Sequence, residues 1–234
     1  SILKKRENPV YLPGVKLVKA IIPSCSLSKT LAGSSMVFMV TPSHTFRSLI
    51  RELLPSWNGQ IIVSATKGIE SETLMTMSQI IREEIGNNQV VQFAVLSGPS
   101  FAREVVLRHP TAVVVGANHN AVALMVQNVV STPYFRTYTN SDVLGVELGG
   151  AYKNVIAIAA GVADGLGYEY NTGAALVTRG LAEISRLGIK MGAHYSTFLG
   201  LACLGDLVLT ATSPASRNRT VGNRLGKGEK LADI

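Results

Sequence analysis

Apolar and polar positions follow two different rhythms along this chain. In the first part, short apolar runs alternate with stretches of helical spacing. Ser35 to Val40 reads as a buried strand. Ser43 can cap a helix that carries Phe46, Leu49, Ile50, Leu53 and Leu54 on one face. Gln60 to Ala65 is the next strand, and Ser71 to Ile85 a helix closed by Gly86. Val91 to Leu96 and Thr111 to Val115 read as strands, with a short helix from Ser100 to Val106 between them. Ala121 to Val130 is helical, and Phe135 to Tyr138 is a last short strand. Strands that alternate with helices predict a parallel, doubly wound sheet.

The rhythm changes near Asn140. Beyond it the pattern shows no strand. Asp142 to Ala163, Thr172 to Met191 and the stretches around Phe198 and Leu207 read as helices rich in Ala, Gly and Leu. This shift predicts an α/β domain over 1–140 and an all-helical domain over 141–234.

Composition narrows the function classes. Of the 234 residues, 47% are hydrophobic and 16% charged, so a large core can form and disorder is excluded. The low charge fits helices wrapped by protein, or covered in an oligomer such as a homodimer. The net charge is +7, which suits phosphorylated ligands, nucleic acid or anionic membranes. The basic residues are scattered, with short clusters at Lys4-Lys5-Arg6 and Arg217/Arg219, which argues against nucleic acid. His44, His109, His119 and His194 lack ligand spacing, so no metal is expected. No apolar run approaches a span of about 20 residues, so no membrane crossing is expected. Cys25 and Cys203 lie far apart among ordinary core residues, which predicts a reduced, cytoplasmic protein. The chain opens without an initiator methionine and closes on Gly-Glu-Lys-Leu-Ala-Asp-Ile, which reads as a helix start; both ends are expected to be cut.

Five segments carry candidate chemistry. Lys67 stands just past a strand, where open α/β sheets bind ligands. From position alone it is either a ligand-facing cation or a solvated loop lysine. Gly98-Pro99-Ser100-Phe101-Ala102 joins a strand to a helix; it is either a close backbone approach to a ligand or a tight turn capped by Ser100. Lys153 lies in a helix that is apolar or small almost all round. Desolvation there lowers a lysine's pKa and equips it for proton exchange near neutrality. Asn154 adds a second polar group beside it. Asp206 and Thr210 share a helix face, where Asp206 either caps the helix or orients an ammonium. Ser216-Arg217-Asn218-Arg219 is either a phosphate clamp or a solvated loop.

Together these segments resemble the bacterial-type NAD(P)-dependent glycerol-3-phosphate dehydrogenases. The carrying stretches are Ala65-Thr66-Lys67-Gly68, Leu96 to Ala102, Gly145 to Ala157, Thr178 to Glu183, Gly205 to Thr210 and Ser216 to Arg219. Asn8 to Val15 and Val40 to His44 resemble the family's earlier loops. The resemblance implies a Rossmann-type domain followed by an all-α substrate domain, with NAD or NADP as cofactor. It implies that Lys153 is the general acid/base, supported by Lys67, Asp206, Asn154 and Thr210. Lys67, Gly98, Ser100, Lys153, Asp206, Ser216, Arg217 and Asn218 would contact a small phosphorylated substrate. Pro42, Phe46, Lys67, Ala102 and Arg217 would lie along the cofactor. One departure stands out: no Gly-x-Gly-x-x-Gly occurs in this sequence, so the first strand-turn-helix with its pyrophosphate cradle is missing. Related hydroxy-acid or nucleotide-sugar dehydrogenases are the competing enzyme class, and a non-catalytic interaction module is the competing reading outside enzymes.

Overall fold

The computed structural model describes residues 2–86 and 91–234. Two short helices come first, α1 (Ile2–Lys5) and α2 (Leu27–Leu31). The alternating part then runs β1 (Met36–Met39), α3 (Phe46–Leu53), β2 (Ile61–Ser64), α4 (Met77–Ile85), β3 (Phe93–Ser97), α5 (Ala102–Val106), β4 (Thr111–Gly116), α6 (Asn120–Val130) and β5 (Phe135–Asn140). The strands form one sheet in the order β1-β2-β3-β4-β5. Successive residues of a strand face opposite sides, and β2 shows why both sides need cover. Ile62 packs under Phe46, Ile50 and Ile80 of α3 and α4. Its neighbours Ile61 and Val63 pack on the other face with Val115 of β4 and Val122 and Val126 of α6.

The expected parallel sheet needs one correction. β1, β2 and β3 are parallel, but β4 runs antiparallel to β3, and β5 is parallel to β4. A parallel connection must carry the chain back across the sheet, normally by a full helix. The five residues of α5 advance only about 7.5 Å. Such a piece falls short of the return journey, and β4 therefore comes back in the opposite sense. The eleven residues of α6 are long enough, and β4 and β5 are parallel.

Two helix starts also lie further along than the spacing predicts. α4 begins at Met77 rather than Ser71, because Thr76 and Gln79 form a reciprocal capping box and Leu74 stands at φ 58°. Ser43 makes no side-chain cap; it opens a 3-10 turn (Ser43–Thr45) that leads into α3.

Beyond Asn140 the described chain is helical. α7 (Val143–Gly165) is followed by α8 (Tyr170–Lys190), α9 (Tyr195–Phe198), a π-turn (Leu201–Gly205), α10 (Asp206–Thr212), α11 (Arg217–Gly226) and a 3-10 turn (Leu231–Asp233). Asp142 caps α7 by accepting from the Gly145 N–H at 2.9 Å, and it also binds the His194 N–H and the Thr197 hydroxyl ahead of and within α9. The sheet and helical layers are pinned by buried Glu147 of α7, which accepts from the Ser78 N–H at 2.8 Å and its hydroxyl at 2.6 Å. Burial pushes the Glu147 pKa up, against the Ser78 hydrogen bonds that lower it.

The expectation about apolar runs is also corrected. By length and composition, α7 and the stretch Tyr195–Thr212 could each cross a membrane. In α7 the cause is burial: it packs on β3, α8, α10 and α11, and its apolar window is 56% buried within the protein.

Candidate active site

Lys67 follows β2, and Gly98 follows β3, at the carboxyl edge of the parallel strands. α7 and α10 bring Lys153 and Asp206 to the same place. Asp206 accepts from Lys153 Nζ through Oδ1 and from Lys67 Nζ through Oδ2, both at 2.5 Å. Lys153 Nζ also donates to Thr210 Oγ1 at 2.9 Å, and that hydroxyl donates to the Asp206 carbonyl at 2.6 Å. The Lys67 ammonium has a second acceptor, the Gly98 carbonyl, at 3.1 Å. The Asp206 side chain is 2% exposed and Lys153 7%, whereas Lys67 is 27% exposed. One buried carboxylate thus serves two ammonium groups of unequal access to water.

That arrangement tunes Lys153. Burial and the neighbouring Lys67 charge push its pKa down to about 8, and Asp206 opposes them only in part. Desolvation, expected from the apolar helix, prevails. Asp206 is not the helix cap: α10 starts at Asp206 itself, directly after the π-turn, and both carboxylate oxygens turn to the lysines. π-turns are rare and often mark functional sites.

Two glycines of α7, not singled out in the sequence, make the approach possible. A Cβ at Gly150 would stand 2.9 Å from Ser97 Oγ and 3.5 Å from Lys67 Cγ. A Cβ at Gly149 would stand 2.7 Å from Cys203 Cβ and 2.9 Å from the Ala202 carbonyl of the π-turn. α7 is therefore bedded on β3 and Lys67 on one side and on the π-turn on the other. Ser97 Oγ is buried there without a hydrogen-bond partner among the described residues. The doubled glycine is the one sequence signal that could have pointed to this bed.

The remaining expected residues divide into several groups. Gly98 is buried at φ 136°, where a Cβ would meet Val113 Cα at 3.0 Å. Ser100 is exposed and donates to the Gly98 carbonyl at 3.1 Å. The Asn154 side chain is engaged elsewhere than with the Lys153 ammonium: its Oδ1 accepts from Asn218 Nδ2 at 2.7 Å. The Ser216–Arg219 segment is the start of α11 rather than a loop. Ser216 is buried and caps that helix through the Arg219 N–H at 3.2 Å, so its hydroxyl is already engaged. Arg217 is exposed and forms no ion pair among the described residues. Arg219 turns back to pair with Asp164 of α7.

On the cofactor side, Pro42 and Ala102 are exposed, and Phe46 is not: its ring is wholly buried in the core under α3, which removes it from the expected nicotinamide contacts. Cys25 is exposed, contrary to its expected core setting, while Cys203 is buried and its thiol is pushed up to about 12 by burial. A dinucleotide fits one part of this chain. At the carboxyl edge of β1 and β2, Thr41 Oγ1 is buried with no hydrogen-bond partner among the described residues, and Gly68 at φ 153° presses against Ser43 with no room for a Cβ. This polar, close-set edge suits the nicotinamide end, in the crevice where such sheets bind ligands.

A two-faced α/β sheet, joined to a helical layer that sets a desolvated lysine over its carboxyl edge, is the architecture of a two-domain dehydrogenase. Comparison with known proteins narrows the class. The profile of the NAD-dependent glycerol-3-phosphate dehydrogenase N-terminus matches residues 1–123, and that of its C-terminus matches residues 142–234. A glycerol-3-phosphate dehydrogenase [NAD(P)+] of Geobacter sulfurreducens is 53% identical over 98% of this chain and 69% of its own length. The enzyme of the same name from Citrifermentans bemidjiense is 55% identical over the same shares. The crystal structure of glycerol-3-phosphate dehydrogenase from Coxiella burnetii superposes with a TM-score of 0.95 at 37% identity, over 99% of this chain and 70% of that one. The chain belongs to the NAD-dependent glycerol-3-phosphate dehydrogenase family.

Proposed function

We infer that this protein interconverts sn-glycerol 3-phosphate and dihydroxyacetone phosphate with NAD or NADP. The observation that carries the reading is the Lys153–Asp206–Lys67 cluster at the junction of sheet and helical layers, within a chain of this family. Residues 1–140 serve as part of a dinucleotide-binding domain, and 141–234 as part of a helical substrate domain. When bound, the reduced nicotinamide supplies a hydride to the carbonyl carbon. The carbonyl electron pair moves onto oxygen, and Lys153 Nζ gives that oxygen a proton, which leaves a neutral amine. In the reverse direction the neutral amine takes the hydroxyl proton. Thr210 and Asp206 hold the Nζ in place, and Lys67 keeps positive charge beside the developing alkoxide. Arg217 and Asn218 bind the phosphate from the first turn of α11, where free N–H groups favour an anion. Binding energy at the phosphate then orients the reacting carbonyl. Gly98 and Ser100 line the substrate side, and Pro42, Ala102 and Arg217 the cofactor side. The product would supply glycerol phosphate for phospholipid synthesis in the cytoplasm.

The test is turnover of the full-length protein with either reduced cofactor, using dihydroxyacetone phosphate, a small keto acid and a nucleotide sugar in parallel. Dihydroxyacetone phosphate should be strongly preferred. A faster rate with the keto acid or the nucleotide sugar would replace this reading with one of those dehydrogenases.

A further inference from the structure

α7 and α11 touch through glycines in a regular ladder. Gly222 of α11 faces the Ile158 carbonyl and the Val162 N–H, and a Cβ there would come within 3.0 Å of Val162 N while colliding with the Ile158 oxygen. Gly226 faces the Val162 carbonyl and stands so close to Gly165 that a Cβ would lie 3.0 Å from the Gly165 Cα. From the other helix, Gly161 faces the Arg219 carbonyl and Gly165 the Asn223 carbonyl. The next rung toward the site is the Asn154–Asn218 hydrogen bond at 2.7 Å. Asn154, Ile158 and Val162 therefore meet Asn218, Gly222 and Gly226 in turn. Both helices advance four residues per rung, in the same direction, which is about 6 Å of rise. The Arg219–Asp164 ion pair locks the same register.

Lys153 adjoins one end of this ladder on α7, and Arg217 adjoins the same end on α11. At the four glycines backbone meets backbone, which leaves the two helices little room to slide. We propose that the Gly161/Gly165–Gly222/Gly226 contact is a length gauge, which sets the gap between the proton-donating Lys153 and the phosphate-binding start of α11 and so selects a three-carbon phosphate ester. Gly222 and Gly161 are its specificity-determining residues. The inference rests on the proposed function above and adds what decides substrate length.

A Cβ at Gly222 must move α11 outward by about 1 Å to restore a carbon–oxygen contact of about 3.3 Å. A shift of that size matters for a reacting pair, where about 1 Å of misplacement can cost up to about 10²-fold. It also widens the gap by roughly the reach of one methylene, a group that pockets discriminate by about 10- to 200-fold.

The experiment compares kcat/KM for dihydroxyacetone phosphate with that for its homologue carrying one more methylene between carbonyl and phosphate, 4-hydroxy-3-oxobutyl phosphate. Full-length wild type should prefer the shorter substrate by about 10-fold or more. Gly222→Ala should reduce that ratio by about 10-fold, mainly by harming the shorter substrate. Gly161→Ala drives the same wedge from α7 and should do likewise, so a failure of one variant to fold does not remove the test. An unchanged ratio in a folded, active Gly222→Ala or Gly161→Ala would overturn the gauge, as would wild type that turns over both ketones equally. Wild type inactive on both ketones would instead remove the proposed function, and the gauge with it.

Discussion

Lys153 is the residue whose chemistry is most visible in the amino-acid sequence. A lone lysine in an almost wholly apolar helix has to be desolvated or to reach the surface, and the fold desolvates it. Lys153→Met keeps the stem and removes the ammonium. Turnover should fall by about 10²- to 10⁴-fold with the circular dichroism spectrum intact, and near-normal turnover would make the lysine merely structural. Its lowered pKa of about 8 also fixes the sign of a pH effect. Ketone reduction needs the ammonium and should decline as pH rises through about 8, while alcohol oxidation needs the amine and should rise over the same range. Asp206 is the influence that raises this pKa, so Asp206→Asn should move both limbs to lower pH. A limb that stays in place would detach the titration from Lys153. The role of Asn154 was not legible in the same way. Adjacency in sequence suggests that it steadies Lys153, but successive helix residues point about 100° apart, and Asn154 faces Asn218 instead.

At the scale of elements, the strands were legible because each is a short apolar run. β2 is the clearest case, with all four residues buried. The start of α4 was not, since Ser71 and Thr76 are both acceptable caps in sequence, and only Thr76 completes a reciprocal pair with Gln79. That pair makes a measurable claim. Thr76→Ala should cost about 1 kcal/mol of stability in urea denaturation, within a range of about 0.5–2, and a loss near zero would assign the start of α4 to packing alone. The antiparallel turn of β4 was also hidden, because strand direction depends on whether the linking helix can span the sheet, and hydrophobic spacing carries no direction. The start of α11 escaped for a different reason: Arg, Asn and Arg in succession look like a solvated loop, and what makes them helical is the capping hydroxyl of Ser216 and the glycine contact with α7.

For the whole molecule, the change from mixed to helical architecture near residue 140 was legible from composition, but the joint between the layers was not. Glu147 is an acidic residue in a largely apolar helix, and its partner Ser78 is remote in sequence. Because burial raises its pKa, the charged form is disfavoured in the folded state, and acidification toward the ordinary value of 4.5 relieves that cost. Glu147→Gln removes the titration. The urea midpoint of wild type relative to this variant should therefore improve as pH falls from neutrality toward about 5. A constant difference would mean that the joint carries no pH dependence of its own.

The reversal of β4 has a consequence for which parts of the chain can change length. Because β5 runs against β1, β2 and β3, Asn140 leaves the sheet at the edge where those three strands begin. Lys67 and Gly98 lie at the opposite edge. α7 crosses from one to the other, with Val143 and Val146 packed on Val95 and Val114 on the way. Between Val143 and Lys153 it advances about 15 Å, which matches a five-residue strand at about 3.3 Å per residue. The crossing is a stride cut to the sheet, and no loop within it can absorb an extra residue. One residue inserted after Leu148 would swing Lys153 by about 100° around the helix, away from Asp206. The turn beyond the helix end, where Leu166 and Tyr168 are each 59% exposed, has no such constraint. An alanine inserted there should leave turnover nearly intact, whereas one inserted after Leu148 should abolish it. Equal tolerance at the two points would show that the length of this helix is incidental to the site.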